Sequence, residues 1–429
     1  MTKLRETALE GEYSRDVTDA GSTSLARALV RRRIFDLLNQ LEGGILRLVI
    51  DGDVKVFGRL DASDGLEATI FVHDERFFTA IAFRGSMGAG ESYMDAYWTT
   101  DNLTALIQII ARNRRLMSSV DSGLARLVSP LYRLAHRLRR NSNRGSRRNI
   151  AEHYDLGNEF FSVFLDETMM YSAGFFESES SSLRQASVAK VERICQKLKL
   201  NPADHLIEIG TGWGYFAIHA ARHYGCRVTT TTVSEEQYRW AVRRVKDAGL
   251  ESRIEVLLQD YRDLRGSYDK LVSIEMIEAV GHEFLGVYFR KCSELLRPNG
   301  LGLIQAITMA EEFYERSRQS VDFIQRYIFP GSDIPSLSSL KDWIGRSEGL
   351  SLLGEEDLTA HYAETLKLWR ERFLAGTSEI RSQGFPDRFL RMWDFYFSYC
   401  EGGFRERHIG DYQLLLSKAT DGRRDGSQG

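Results

Sequence analysis

The stretch "LVSIEMIEAVGH" (271–282) ends an apolar run with two acidic residues, Glu275 and Glu278, three positions apart. An ionised carboxylate is costly to remove from water unless it is paired, so a glutamate where a buried strand ends has either a partner or a chemical task. Glu278 is the first candidate for chemistry on this ground.

A second set of residues points to a ligand. In "IEIGTGWGYF" (207–216), Gly210, Gly212 and Gly214 stand between an apolar strand and a helix, where glycine lets a ligand approach the backbone closely. A glycine turn alone does not distinguish one nucleotide from another. The spacing is G-x-G-x-G rather than the G-x-G-x-x-G of dinucleotide folds, and the next strand ends in Thr231-Thr232 without the acidic residue that holds an NAD ribose. Glu208, just before the loop, can meet an ammonium group. Asp260 ends the third strand in "LLQDYRDL", placed to bond an adenine amine with Tyr261 beside the ring. An amino-acid-bearing nucleoside fits this set better than a pyrophosphate, and S-adenosylmethionine is the natural candidate.

The elements that must carry these residues alternate from Asn201 onward. Strands are expected at 205–210, 226–233, 253–260, 268–275 and 300–308, with helices between them such as 234–248 and 283–296. This pattern predicts a doubly wound α/β unit with a parallel sheet, whose ligands sit at the carboxyl ends of the strands. Residues from about 310 to 420 read as mostly helical and rich in aromatics.

The N-terminal part reads differently. Residues 1–22 are polar and expected to be poorly ordered, as are 421–429. Three short β-branched or aromatic runs, 45–51, 54–60 and 67–74, suit the strands of a smaller α+β domain spanning 23–122. "RGSMGAGESYMDAYW" (84–98) reads as a loop leading into a buried helix or as a wall in contact with lipid, and 103–113 as a helix capped by Asp101 or Asn102. Eight arginines and no acidic residue fall between Gly123 and Asn149, with Leu131, Leu134 and Leu138 at helical spacing. Such a segment suits a solvated linker or attachment to anionic lipid headgroups.

With 429 residues, two or more folding units are expected. A net charge of −3 gives no reason to expect nucleic acid as a partner. The four cysteines lie far apart with no C-x-x-C pair, which suits a reduced cytoplasmic setting without structural metal. No apolar run reaches the roughly 18 residues of a spanning helix, so any membrane association is expected to be peripheral.

Several stretches together resemble the cyclopropane-fatty-acyl-phospholipid synthase family: "AEHYDLGNEFFSVFLDETMMYSAGFF" (151–176), "IEIGTGWGYF", "TTTTVSEEQ" (229–237), "LLQDYRDL" and "SVDFIQRYIFPG" (320–331). The resemblance runs in one order from about residue 40 to 415 and assigns 150–420 to the catalytic domain. It implies an enzyme that uses S-adenosylmethionine to alkylate a cis double bond in a phospholipid acyl chain, works at an anionic membrane surface, binds lipid through its N-terminal domain and forms a homodimer. The cofactor residues it implies are Tyr171, Ser172, Gly210, Gly212, Thr232, Gln237, Asp260 and Tyr261.

An alkene is a weak nucleophile, and its alkylation requires alignment in a pocket that excludes water. If a base then removes a proton from the transferred methyl, the ring closes to a cyclopropane. Removal elsewhere gives a methylated or methyl-branched chain. The resemblance implies that the base is a bound bicarbonate, with Glu278 and Tyr362 among its contacts and Ile307 supplying a backbone contact. The sequence departs from the family pattern at Ala173 in "YSA" where "YSC" is usual, at Gln305 where a histidine is usual, and at Ala279 after the glutamate. Glutamine can bond an anion but cannot carry a proton, so the choice between ring closure and open-chain methylation stays open. Glu275 is expected to contribute only its backbone near the cofactor.

Overall fold

The computed structural model describes residues 24–59, 65–113 and 156–420. The tails 1–22 and 421–429 and the arginine-rich segment 123–149 lie outside the described residues, as does all of "AEHYD" (151–155). The chain forms two compact units, Met1–Pro130 and Leu131–Gly429.

In the first unit, β1 (Gly44–Ile50), β2 (Asp53–Arg59), β3 (Glu67–Val72) and β4 (Trp98–Thr100) form a sheet in the order β2-β1-β3-β4. β1 and β2 are joined by Asp51 and Gly52, both at positive φ, the backbone that a two-residue hairpin with an Asp-Gly turn requires. Leu46, Leu48 and Ile50 alternate inward and pack in the core of this unit. Asn102 caps the helix Leu103–Arg112 by accepting from Ala105 N at 3.0 Å, while Asp101 instead binds Thr69 N at 2.7 Å. The glycine-rich stretch after Arg84 is not a loop. Residues Arg76–Met94 are helical on both sides of a break at Gly85 (φ 56°, ψ −134°). A Cβ on Gly88 would lie 2.1 Å from the Ala80 carbonyl oxygen, so only glycine permits this approach. Tyr93, Met94 and Trp98 are buried.

The second unit is built on seven strands: β5 (His205–Ile209), β6 (Arg227–Thr232), β7 (Ile254–Leu258), β8 (Tyr268–Ile274), β9 (Leu296–Met309), β10 (Leu350–Asp357) and β11 (Ile409–Lys418). Their order is β10-β11-β9-β8-β5-β6-β7, with β5 to β9 parallel and β11 antiparallel to both its neighbours. The expected doubly wound α/β architecture is present. Successive residues of the buried strands face opposite sides: Leu206, Val272 and Leu303 pack with Val191 and Phe216, and Ile207, Leu271 and Ile304 with Phe289 and Leu414. The chain winds outward in both directions from β5, so β5 and β8 flank the point where a crevice opens at their carboxyl ends.

Residues 310–420 are mostly helical, as expected, with two strands among the helices. Helices Leu337–Arg346, Thr359–Ala375 and Asp387–Arg405 are present, but β10 and β11 complete the sheet. In β10 every second residue is exposed, and β11 carries Gly410 and Asp411 near its start, so neither shows a simple apolar run. β11 pairs with β9 over nine residue pairs, among them Ile307 with Asp411 and Gln305 with Gln413.

Because Leu414 is fully buried in the sheet core, Leu414→Ala is expected to cost about 2–5 kcal/mol and to lower the denaturant midpoint of the second unit, followed by circular dichroism. An unchanged midpoint would count against β11 as a core strand.

Candidate active site

The glycine loop leaves β5 with Gly210, Gly212 and Gly214 all at positive φ (99°, 51° and 86°). Gly210 N and Thr211 N both donate to the Thr231 carbonyl, at 3.1 and 2.9 Å, which ties the loop to the end of β6. A Cβ on Gly212 would meet nothing, so its face of the loop is open to a ligand. At the end of β6, the Thr232 hydroxyl donates to Gln237 Oε1 at 2.9 Å, and Ser234 caps the helix Glu235–Asp247 that carries Gln237. These groups lie at the carboxyl ends of adjacent strands, as expected.

Other cofactor candidates are more constrained. Glu208 is buried and accepts from Thr230 Oγ1 at 2.6 Å across the β5–β6 pair; burial pushes its carboxyl up to about 8. Asp260 is buried with its two carboxylate oxygens held by Arg262, at 2.8 and 2.7 Å, while Tyr261 beside it is half-buried. The Tyr171 ring packs between Phe161 and Trp369, its hydroxyl 3.0 Å from that of Tyr396. Ser172 is buried and accepts from Lys190 Nζ at 2.5 Å. Lys190 was not singled out in the sequence. It lies on the helix Leu183–Lys197, fully buried, and burial draws its ammonium down to about 8 against the opposing pull of Glu275, Asp411, Asp166 and Glu208.

The carboxylate at the centre is Glu275 rather than Glu278. Glu275 Oε1 accepts from Ala173 N at 2.8 Å and from Gln305 Nε2 at 2.7 Å, and Oε2 accepts from the Tyr362 hydroxyl at 2.8 Å. Its own N–H donates to the Gln305 carbonyl at 2.8 Å. Its backbone has φ 46°, a left-handed conformation that costs a non-glycine residue about 1–3 kcal/mol. Three hydrogen bonds to its side chain hold it there. Burial raises the Glu275 carboxyl, while Lys190 and the three donors oppose the shift.

Tyr362 and Gln305, which the sequence assigned to the anion beside Glu278, therefore both bind the Glu275 side chain. Glu278 stands apart from them. Its Oε1 accepts from Ile307 N at 2.6 Å, the backbone contact expected for the anion, and its Oε2 is shielded from solvent with no partner. Burial first, and then the charge on Glu275, push the Glu278 carboxyl up to about 8. Bicarbonate does not fit here: the Ala173 N–H, the Gln305 amide and the Tyr362 hydroxyl are engaged by a carboxylate that belongs to the chain. No sequence signal marked the Glu275 side chain beyond its charge at the end of a buried strand.

The sequence pattern of the mycolic acid cyclopropane synthetase family matches residues 141–414. The chain belongs to that family. Relatives extend the likeness over nearly the whole length: the tuberculostearic acid methyltransferase UfaA1 of Mycobacterium tuberculosis is 37% identical over 405 residues, covering 92% of both chains. The cyclopropane-fatty-acyl-phospholipid synthase of Escherichia coli K12 is 34% identical over 359 residues, 82% of this chain and 89% of its own. Among solved structures, the mycolic acid cyclopropane synthase CmaA1 with SAH and CTAB is 28% identical with a TM-score of 0.60, over 63% of this chain and 98% of its own. This family member is an S-adenosylmethionine-dependent methyltransferase of the cyclopropane synthase type, and the open glycine loop with Thr232 and Gln237 is suited to that cofactor.

A carboxyl raised from 4.5 to about 8 on folding contributes stability below its unfolded value, and that contribution is lost as pH rises through 8. Glu278→Gln is therefore expected to raise the melting temperature relative to the parent more at pH 8 than at pH 5, measured by differential scanning fluorimetry. A difference independent of pH would show that Glu278 titrates normally.

Proposed function

We propose that this enzyme methylates a cis double bond in an unsaturated phospholipid acyl chain and that Glu275 accepts the proton the chain then loses, giving a methylated, open-chain product. One observation carries the reading: a resident carboxylate holds the Tyr362 hydroxyl that the family resemblance gives to a bicarbonate base, together with the Gln305 amide and the Ala173 N–H at the two positions that depart from the family pattern. The absence of the usual cysteine and histidine at Ala173 and Gln305 supports it, and so does the 37% identity to a relative named as a tuberculostearic acid methyltransferase.

S-adenosylmethionine, when bound, supplies an electrophilic methyl group. The glycine loop, Tyr171, Ser172, Thr232, Gln237 and the Asp260–Tyr261 pair are the groups available to hold it. The aromatic side chains of Phe161, Tyr171, Phe329, Trp369 and Tyr396 pack against one another and suit a wall that keeps water from an electron-deficient carbon. Lys190 and the three donors favour the ionised form of Glu275 against its burial, and a carboxylate raised by burial is a better proton acceptor than one in water. A second reading, ring closure with the same carboxylate as base, is favoured by the 34% identity to a cyclopropane-fatty-acyl-phospholipid synthase.

Expression in a host without such an enzyme, followed by proton NMR of its fatty acids, separates the two: cyclopropane protons resonate in an otherwise empty region, and their appearance as the main product would overturn the open-chain reading. Glu275→Gln is expected to lower kcat about 10²–10⁴-fold with S-adenosylmethionine affinity nearly unchanged by calorimetry. We further propose that the arginine-rich segment 123–149 docks the enzyme on anionic lipid. Co-sedimentation with anionic liposomes should then be strong at low salt and fall as salt is raised, and salt-independent behaviour would refute it.

A further inference from the structure

Asp411 lies on β11, opposite Ile307 of β9, fully buried in the interior of the second unit. Its Oδ2 accepts from Gln305 Nε2 at 2.9 Å, and the same nitrogen donates to Glu275 Oε1 at 2.7 Å. The two N–H bonds of one amide are thus shared between two carboxyl groups. The amide oxygen of Gln305 is also occupied: Gln413 Nε2 donates to it at 3.1 Å, and Gln413 Oε1 accepts from Lys197 Nζ at 2.5 Å. Lys197 is itself paired with the partly exposed Glu356.

These contacts form a chain with one direction. An ammonium can only donate, so Lys197 fixes the oxygen of Gln413 toward itself and the Gln413 amide nitrogen toward Gln305. At the other end, Asp411 and Glu275 accept, which requires the Gln305 nitrogen to face them. A flipped Gln305 would set its carbonyl oxygen against both carboxyl groups and its NH₂ against the NH₂ of Gln413. Asp411 Oδ1 has no hydrogen-bond partner, and burial with the nearby charges of Glu275 and Glu278 raises this carboxyl well above the usual range. A buried acid with an unpaired oxygen destabilises the fold, so packing gives no reason for its presence.

We propose that Asp411 is a positioning residue for Glu275, acting through the Gln305 amide: by accepting one N–H it directs the other onto the carboxylate that takes the proton. The inference rests on the reading of Glu275 as that acceptor. It assigns Asp411 no contact with substrate or cofactor. Because Asp411 acts as an acceptor, its side-chain oxygen matters more than its charge.

The test compares Asp411→Leu, which removes the acceptor, with Asp411→Asn, which keeps one, in the full-length protein. Asp411→Leu is expected to lower kcat about 10-fold or more, with S-adenosylmethionine affinity by calorimetry within about twofold of the parent and a melting temperature at pH 7 equal or higher, since a buried polar group has been removed. Asp411→Asn should recover most of the lost kcat. Full activity in Asp411→Leu overturns the assignment, as does an Asp411→Asn variant as slow as Asp411→Leu, and a fall in kcat matched by a fall in melting temperature makes the residue structural and overturns it too. Glu275→Gln is run alongside: its full activity would instead overturn the reading of Glu275 as proton acceptor, whereas its inactivity together with unimpaired Asp411→Leu removes only the role of Asp411.

Discussion

The geometry of the site depends on one carboxylate held by three donors from three different places in the chain. Ala173 supplies a backbone N–H from the segment before the helix Leu183–Lys197, Gln305 an amide from β9, and Tyr362 a hydroxyl from the helix Thr359–Ala375. Glu275 reaches all three because its backbone turns left-handed where β8 ends. The strain is local and the compensation is distributed, so the site exists only while these distant segments remain in register. Other charged groups follow from this arrangement. Lys190 is tolerable without a direct ion pair because several carboxyl groups surround it, and Glu278 is pushed toward neutrality by its burial first and by the neighbouring Glu275 second.

The parallel sheet puts the two halves of the chemistry on either side of one crevice. On the proposed function, the loop after β5 offers backbone to the cofactor and the turn after β8 offers carboxylates to the reacting chain. Product choice in such an enzyme is governed by where the proton acceptor is fixed. A carboxylate tethered to the backbone has a narrower range of positions than a small anion held by hydrogen bonds alone.

Much of this was legible in the sequence. The glycine loop and the alternating strands from β5 to β9 follow from local patterns, because strand period and turn chemistry are written in neighbouring residues. The side chain of Glu275 was not legible, since its partners are 30 to 102 positions away and its positive φ has no local signature. β10 and β11 have no simple apolar run, with Leu353 exposed in one and Gly410 and Asp411 near the start of the other, so nothing local marks them as strands within a mostly helical stretch. Without β11, Asp411 and Gln413 cannot be placed beside Gln305. The departures at Ala173 and Gln305 were visible, but what fills their place became clear only in three dimensions.

The pairing of Gln413 with Gln305 joins residues 108 positions apart, and that separation governs when the site can come into being. Contacts between near neighbours form early in folding, whereas closing so long a loop is entropically slow. The nucleoside loop after β5 can organise as soon as β6 pairs with it. The amide that aims at Glu275 acquires its full set of contacts only after β11 has docked between β9 and β10. A partly folded chain can therefore assemble the loop after β5 before Gln305, and through it Glu275, is fixed in place, and docking of β11 is the event that completes those contacts.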